Sequence, residues 1–478
     1  MAVLRCFAGP EPRGGPPAPP EQPWADDFEA FERVRLGDSL DEVADALASE
    51  VDRAQAELFA RRLRTVDTAI AQLEDPVGRL LRVGLRQRAT TIVRAPQARA
   101  TRIRALADFY YSHVGLHRHR RGHAAGTPLE DRVAAAAWVT VCNGVEHARI
   151  EGGSDVGPLH VNLLRIDPSR ARLEVDDCRD HVARGGTFAD YVQTRGATAA
   201  VSGGFFLYSE PDIVAPSKRY DPVGLLVQRG QVLSPPVFRR GALLVDAGGA
   251  ISIERIGMTA VELEAPDGRR WRPTAVVNRA SGRRGPAEAS VALVGNTVIA
   301  AGHDLAVPLN GFVVAVPPGT SLQVGDRITY RDVQGSRGPV HAGIAGGPVL
   351  LEAGRPVLEM RAEDFWGSAP PVTFSQDETG DRNLLPRLAA GLTEDGQLVF
   401  AAIDGRNFDR ALGMTLAGVA RLLLALGCHR ATNLDGGSSK RMVVGNTACD
   451  LATTEIVSGH RSNAAVRPVH TGVLIFPR

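Results

Sequence analysis

Lysine is almost absent from this chain of 478 residues. Of its 55 basic residues only Lys218 and Lys440 are lysines, and the others are arginines. With 54 acidic residues the formal net charge is +1, so no strong basic field indicates a nucleic acid partner. Aromatic residues reach only 5%, whereas the hydrophobic share of 44% is ordinary and supports a sizeable folded core. The arginine excess is most simply a consequence of a GC-rich genome and predicts no function.

Long apolar runs and closely spaced cysteines are missing too. No stretch of about 18–20 uncharged apolar residues occurs, so we expect no membrane span. The N-terminus lacks an apolar signal region, which favours a cytoplasmic location. There is no C-x-x-C pair, so we expect neither a disulfide framework nor a zinc site and interpret the cysteines as buried or incidental thiols. The cysteines are Cys6, Cys142, Cys178, Cys428 and Cys449.

The N-terminal quarter divides into a tail and a region of segregated charge. Residues 1–23 are rich in proline and glycine and are predicted to be disordered. Residues 24–125 show helical spacing of apolar residues. Within this region residues 21–57 carry 12 acids against three arginines, and residues 79–121 carry 11 arginines against one acid. The simplest interpretation is an acidic helical hairpin packed beside a basic one, and the alternative is a surface for an anionic or protein partner.

Four histidines lie close together at the end of the basic stretch. They are His113, His117, His119 and His123. Neutral imidazoles bind metals, but no acidic or cysteine ligand accompanies these histidines and the neighbouring arginines repel cations. We therefore predict neither a metal site nor another cofactor.

Short apolar or alternating runs separated by Gly, Pro and Asp-Gly turns dominate residues 136–478, which indicates many strands. One helix is clear, because Thr415 precedes an apolar face that begins at Leu416 and Gly427 ends it. The sequence thus predicts an α+β fold. Its β-rich catalytic domain at 136–478 has mixed sheets and a few helices, and a mostly α-helical N-terminal region precedes it.

The strongest chemical signal lies in the C-terminal third. An apolar strand, 398–403, ends in Asp404-Gly-Arg406, and a second strand after the helix ends in Asp435-Gly-Gly-Ser-Ser439. Strand–helix–strand order favours two parallel strands with both carboxylates at their carboxyl ends. Neighbouring strands lie about 4.8 Å apart, so the two carboxylates are expected to flank one substrate atom. The backbone N–H groups of 436–439 suggest an anion nest and the arginine a phosphate fork.

These motifs together resemble the phosphodiester glycosidase family. The resemblance rests on Asp404-Gly-Arg406, Gly413-Met-Thr-Leu and Asn433-Leu-Asp-Gly-Gly-Ser-Ser439, and it spans about residues 140–478. Weaker similarity covers the segments at Gly203-Gly204-Phe-Phe, Gly346-Gly347-Pro and Pro386-Arg387, together with Asn463 and Arg467.

The resemblance implies hydrolysis of a glycosidic bond between a sugar and a phosphodiester, in a glycan or small-molecule substrate. It implies catalytic roles for Asp404, Asp435 and Arg406. The substrate-binding residues implied or suggested by the motifs are Asn433, Gly436, Gly437, Ser438, Ser439, Arg387, Arg467, Gly203, Gly204 and Asn463.

Two residues depart from the family pattern. Ser202 stands where the family usually has Asn, and Leu388 replaces the Thr that usually follows the arginine. A serine keeps one hydrogen bond but not the two-sided pattern of an amide. The family is also mostly exported. The alternatives that stay open are a sugar- or phosphate-binding module whose catalysis has decayed and a glycosidase that acts on polysaccharide.

Overall fold

The computed structural model describes residues 127–207, 216–218, 220–308, 311–365, 384–406, 410–451 and 468–478. The predictions for the tail 1–23, the charge-segregated region 24–125 and the histidine cluster lie outside the described residues. The same is true of Asn463 and Arg467.

The described residues contain four α-helices and 25 strands. The helices are α1 (Leu129–Ala134), α2 (Arg179–Ala183), α3 (Phe188–Arg195) and α4 (Leu416–Ala425). The strands are β1 (Val139–Cys142), β2 (Val145–Ser154), β3 (Gly157–Ile166), β4 (Ala171–Asp177), β5 (Ala199–Ser202), β6 (Leu226–Gln228), β7 (Gln231–Ser234), β8 (Arg240–Asp246), β9 (Ile251–Ile256), β10 (Val261–Glu264), β11 (Arg270–Trp271), β12 (Val276–Asn278), β13 (Ser290–Val294), β14 (Thr297–Gly302), β15 (Gly311–Ala315), β16 (Thr329–Gly335), β17 (Gly338–Ala345), β18 (Val349–Glu352), β19 (Arg355–Pro356), β20 (Arg387–Thr393), β21 (Leu398–Ile403), β22 (Cys428–Leu434), β23 (Met442–Val444), β24 (Thr447–Ala448) and β25 (Thr471–Pro477).

These strands form four sheets. Sheet one has the order β1-β2-β3-β21-β20-β22-β18-β19 and sheet two the order β11-β10-β16-β17-β6-β7, with β8 and β9 attached through β17. Sheet three is β12-β15-β13-β14, and sheet four is β24-β23-β5-β25-β4. The prediction of a β-rich fold with few helices is confirmed.

The expected mixed sheets are wrong for the described residues, because each strand pair among them is antiparallel. Parallel neighbours need long crossover connections, usually helical. Helix α4 is such a crossover between β21 and β22, but β20 lies between these two strands and runs against both.

Sheet one is covered on both faces, and this decides where its polar side chains go. Alternate residues of a strand point to opposite faces. Leu398, Phe400 and Ala402 pack on the core shared with sheets two and four, whereas Val399 and Ala401 pack on the core beneath α4. A polar residue at the end of a strand in this sheet is therefore buried in one of two different layers, according to its register.

Helix α4 begins and ends as its sequence predicts. The Thr415 hydroxyl accepts a hydrogen bond of 3.0 Å from the N–H of Gly418, which satisfies one of the donors at the start of the helix. Its apolar face, which includes Leu416 and Val419, is fully buried. Gly427 follows the helix with φ +81°, a left-handed conformation typical of glycine after a helix.

None of the helices within the described ranges is long and apolar enough to cross a membrane.

The Thr415 cap gives a first testable prediction. Thr415→Ala removes the acceptor of the Gly418 N–H, so the free energy of unfolding should fall by about 1 kcal/mol. Chemical denaturation followed by circular dichroism measures the change. Thr415→Ser keeps the hydroxyl and is the control, with a loss clearly smaller than that of the alanine variant. Equal losses in both variants would show that the hydroxyl is not what stabilises the helix.

Candidate functional site

The two aspartate motifs end parallel strands of the same sheet, but these strands are not neighbours. Strand β20 separates β21 from β22, and Arg387 at its start pairs with Ile403 while Leu388 pairs with Leu434. Two strand spacings amount to about 10 Å. The expectation that Asp404 and Asp435 flank one atom from adjacent strands is thus wrong in its geometry, because an antiparallel strand is inserted between them.

Asp404 is buried in a cluster of charges on the sheet-four side of sheet one. Its side chain is 0% exposed. One carboxylate oxygen contacts His160 Nδ1 at 2.5 Å and the other Lys440 Nζ at 2.5 Å. The N–H of Leu451 donates to both oxygens, at 3.1 and 3.2 Å. The carboxylate is therefore surrounded by donors from three separate segments.

Lys440 is the centre of this cluster. Its side chain is fully buried, and its ammonium also contacts Asp450 at 2.8 Å. Burial lowers the pKa of Lys440, but the two carboxylates raise it more, so its pKa lies above the ordinary value. Burial likewise raises the pKa of Asp404, yet Lys440 and His160 outweigh this effect and hold its pKa below the ordinary value. The Lys440 ammonium and the Asp404 carboxylate accordingly keep their charges although both are buried.

The cluster reaches solvent through His160. This imidazole is 4% exposed, and its Nε2 lies 2.9 Å from a carboxylate oxygen of Glu151, whose side chain is 52% exposed. His160 lies on β3 beside the end of β21, and the N–H of Asp404 donates to its carbonyl at 2.9 Å. A continuous line of polar contacts thus runs from the surface at Glu151 to the buried Asp404.

Two predicted binding residues lie on the other side of sheet one, towards α4. Arg387 is 3% exposed, and its Nε donates to the carbonyl of Met414 at 3.0 Å. Asn433 is 2% exposed, and its Nδ2 donates to the carbonyl of Gly347 at 2.9 Å. Asn433 Oδ1 accepts no hydrogen bond from the part of the chain that the structure describes. These two residues therefore do not share a layer with Asp404.

Asp435 lies at the edge where the layers meet and, unlike Asp404, it is only partly buried. Its N–H donates to the carbonyl of Gly203 at 3.1 Å, which joins the two predicted glycine segments. A Cβ on Gly203 would lie 2.5 Å from Thr471 Oγ1, and one on Gly436 would lie 2.6 Å from the carbonyl oxygen of Pro386. Glycine is required at both positions by the close approach of neighbouring chain.

The turn after Asp435 is less available to an anion than expected. The N–H of Gly437 donates to Pro386 at 2.9 Å, and the N–H of Ser439 donates to Gly436 at 3.0 Å. Two of the four predicted N–H groups are thus already used within the chain, which corrects the idea of an open nest at 436–439. Ser438 and Ser439 are buried in a short 3₁₀ turn.

Arg406 does reach this turn. A Cβ on Gly437 would lie 3.8 Å from a terminal guanidinium nitrogen of Arg406. The backbone φ of Arg406 is +58°, which lies in the left-handed region that few residues other than glycine adopt. The structure thus brings Arg406, Gly436, Gly437 and Asp435 together at one edge of sheet one.

The residue that departs from the family pattern, Ser202, has a clear structural role. It is 1% exposed, and its hydroxyl accepts a hydrogen bond of 2.9 Å from the N–H of Arg441. Its own N–H donates to the carbonyl of Arg441 at 3.0 Å. Ser202 therefore holds β5 against the segment that carries Lys440.

Sequence reasoning missed His160, Asp450 and Glu151, and it gave Lys440 no role. Lys440 could have been recognised from its residue type, because lysine is rare in this chain. A chain that uses arginine nearly everywhere has retained lysine here, where the compact ammonium fits between two buried carboxylates. His160 had no local signal, because it lies 244 residues before Asp404.

Part of the sequence also matches a known protein family. Residues 314–476 match the family model of phosphodiester glycosidase. The resemblance predicted from the sequence is thereby confirmed over this range. The matched range contains Arg387, Asp404, Arg406 and Asp435, whereas Gly203 lies outside it. No curated protein matches the sequence.

Several solved structures are similar to this chain. A hypothetical protein from Synechocystis has 18% identity and a TM-score of 0.46, covering 72% of this chain and 64% of that one. A protein of Burkholderia pseudomallei K96243 has 23% identity and a TM-score of 0.44, covering 68% and 75%. The zebrafish N-acetylglucosamine-1-phosphodiester α-N-acetylglucosaminidase catalytic domain, auto-inhibited by its pro-peptide, has 14% identity and a TM-score of 0.41, covering 74% and 87%. This chain thus spans less than two thirds of the Synechocystis protein.

The buried ammonium gives a second prediction. Lys440→Met leaves Asp404 and Asp450 without their cation, so the free energy of unfolding should fall by about 3–5 kcal/mol. Denaturant unfolding at neutral pH measures it. The matched control is Lys218→Met, since Lys218 is the other lysine of the chain and is exposed. A loss below about 1 kcal/mol in Lys440→Met would contradict the role given to the ammonium.

Asp404 gives a third prediction, on pH. Its pKa is depressed in the folded chain, so its contribution to stability is present above the unfolded pKa of about 3.9 and is lost as the pH falls through the folded value. The unfolding free energy of the wild type should therefore drop below about pH 4. Asp404→Asn, which cannot titrate, should be less stable at pH 7 and show a shallower acid decline. Identical acid slopes for the two proteins would refute this assignment.

Proposed function

We propose that this protein hydrolyses the glycosidic bond between a sugar and a phosphodiester. The observation that carries the proposal is the match of residues 314–476 to the phosphodiester glycosidase family, together with the position of the Arg406 guanidinium against the turn at Gly437, two residues after Asp435. A guanidinium at the turn that a carboxylate precedes suits a substrate whose reacting carbon is attached to an anion.

We assign to the carboxylate of Asp435 the role of base in the attack on the anomeric carbon. It is partly exposed, whereas the carboxylate of Asp404 is enclosed by Lys440 and His160. As a base, Asp435 takes one proton from a water molecule whose oxygen bonds to the anomeric carbon. The bond from that carbon to the phosphate oxygen breaks, and the phosphate leaves with the bonding electrons as a monoester. The second proton of the water stays on the new sugar hydroxyl.

Arg406 is assigned to the phosphate. The leaving group gains negative charge as the bond breaks, and a guanidinium fixed in advance beside it stabilises that charge. The left-handed backbone of Arg406 supports this role, because a non-glycine residue in that conformation is retained where the surroundings and the side chain demand it.

Asp404 is assigned a positioning role. Its cluster with Lys440 and His160 fixes the end of β21, and Arg406 follows only two residues later. The resemblance implied catalytic contact for both aspartates. Burial of Asp404 among donors favours one reacting carboxylate and one that holds the turn in place.

Substitution of the two edge residues gives a fourth prediction. Asp435→Asn should lower kcat on a sugar-1-phosphodiester by about 10²–10⁴, because the base is lost. Arg406→Lys should lower kcat by about 10²–10³, because a point charge replaces a planar fork. Release of the free sugar is measured with coupled detection. Arg284→Lys, at a largely exposed arginine, is the control and should keep wild-type rates. Full activity in Asp435→Asn would overturn the assignment.

A further inference from the structure

The imidazole of His160 lies between two carboxylates, one at each ring nitrogen. Its Nδ1 is 2.5 Å from a carboxylate oxygen of Asp404, and its Nε2 is 2.9 Å from one of Glu151. Glu151 is the residue directly opposite His160 in the β2–β3 pair, so the register of these strands fixes the second contact. The ring is buried, and the two carboxylates rather than water therefore satisfy its nitrogens.

The two contacts require one proton more than a neutral imidazole carries. A neutral ring has one N–H donor and one acceptor nitrogen, whereas an ionised carboxylate only accepts. Burial raises the pKa of Asp404, but Lys440 and His160 outweigh it and hold that pKa below the ordinary value, so this carboxyl is ionised. Glu151 reaches solvent, where a carboxyl group is ionised at neutral pH. Neither carboxyl supplies the additional proton, which leaves it on the ring.

The charges around His160 fit a positive ring. Those on the buried side balance one another, since they are two cations and two carboxylates, namely Lys440, Arg441, Asp404 and Asp450. On the exposed side lie Glu151 and Arg149, with 3.8 Å between their charged groups. An imidazolium places a positive charge and an N–H donor beside the Glu151 carboxylate. A neutral ring that donates to Asp404 would instead turn a lone pair towards that carboxylate.

The turn after Asp404 has little room to absorb a displacement of this residue. A Cβ on Gly405 would lie 2.8 Å from the backbone nitrogen of Pro386. The N–H of Asp404 donates to the carbonyl of His160 at 2.9 Å, so the backbone and the side chain of Asp404 both contact His160. Arg406 follows Gly405 directly, and its position consequently depends on that of Asp404.

We infer that His160 is protonated on both ring nitrogens and, as an imidazolium, is a positioning residue that holds Asp404 and through it the turn of Arg406. The catalytic consequence rests on the proposed function, whereas the protonation state does not. As the pH rises, one ring nitrogen loses its proton to solvent and no longer donates to its carboxylate. Both hydrogen bonds are therefore present at neutral pH, and one of them is lost at alkaline pH.

The first test observes the protons of the ring and requires no turnover. Nitrogen-15 NMR of the histidine side chains in the full chain distinguishes an imidazolium from a neutral ring. The signal that His160→Gln lacks belongs to His160, and should that variant fail to fold, the signal that Glu151→Gln shifts identifies it. We expect two protonated nitrogens at pH 7. A neutral ring with one N–H at this pH would overturn the inference and leave the proposed function standing.

The second test follows kcat against pH on a sugar-1-phosphodiester. The wild type should lose about three- to tenfold on the alkaline side, the equivalent of about one hydrogen bond. Glu151→Gln removes the charge but keeps an acceptor, so this loss should move to lower pH by about 0.3–0.7 pH units, as for a partly exposed ion pair. His160→Gln cannot titrate and should lack the alkaline loss. The matched control is His341→Gln, at an exposed histidine on β17, which should keep the wild-type profile.

The two tests separate failure of this inference from failure of the proposed function. The same alkaline loss in the wild type and in His160→Gln would overturn the positioning role, and so would a wild-type kcat that stays level while the NMR signal of His160 titrates. An imidazolium at His160 without hydrolysis of any sugar-1-phosphodiester would retain the protonation state and overturn the proposed function.

Discussion

The rest of the site depends on one interaction, in which the ammonium of Lys440 is buried between the carboxylates of Asp404 and Asp450. A charge removed from water costs several kcal/mol unless opposite charges and hydrogen bonds surround it. Asp404 follows β21 and Asp450 follows β24, so Lys440 can contact both carboxylates only when sheets one and four have come together. A lost partner would leave unpaired charge in the core. The contact therefore specifies the relative position of the two sheets more than it adds to net stability.

The two faces of sheet one explain why the polar residues around its end differ in environment. Asp404 lies in the layer of Lys440, whereas Arg387 and Asn433 lie in the layer of α4. Asp435 directly follows β22 and is only partly buried, whereas Asp404 directly follows β21 and is enclosed. Under the proposed function the reaction takes place at this edge, and the enclosed residues below it hold the turns in place.

Local features of the fold could be predicted from the sequence, and nonlocal ones could not. Helix α4 was recognisable because its cap and apolar face lie within a dozen residues, and the bounds of β21 agree with the predicted strand. The position of β20 was missed, although the turn at Asp395-Gly396 indicated a hairpin that pairs β20 with β21. Since β3 occupies the other side of β21, β22 is left to pair with β20. The contact of His160 with Asp404 depends on this order and has no signature of its own in the sequence.

The glycines of the motifs and Arg406 occur at the same edge for different physical reasons. Gly203 and Gly436 are glycines because neighbouring chain leaves no room for a Cβ, which is a packing requirement and says nothing about a ligand. Arg406 has a backbone conformation that glycine would adopt without strain, yet an arginine stands there. A side chain retained against the preference of its backbone is a stronger indication of function than a glycine doublet. Arg406 is therefore the residue of the motifs whose backbone conformation points most to a function for its side chain, which faces the turn that follows Asp435.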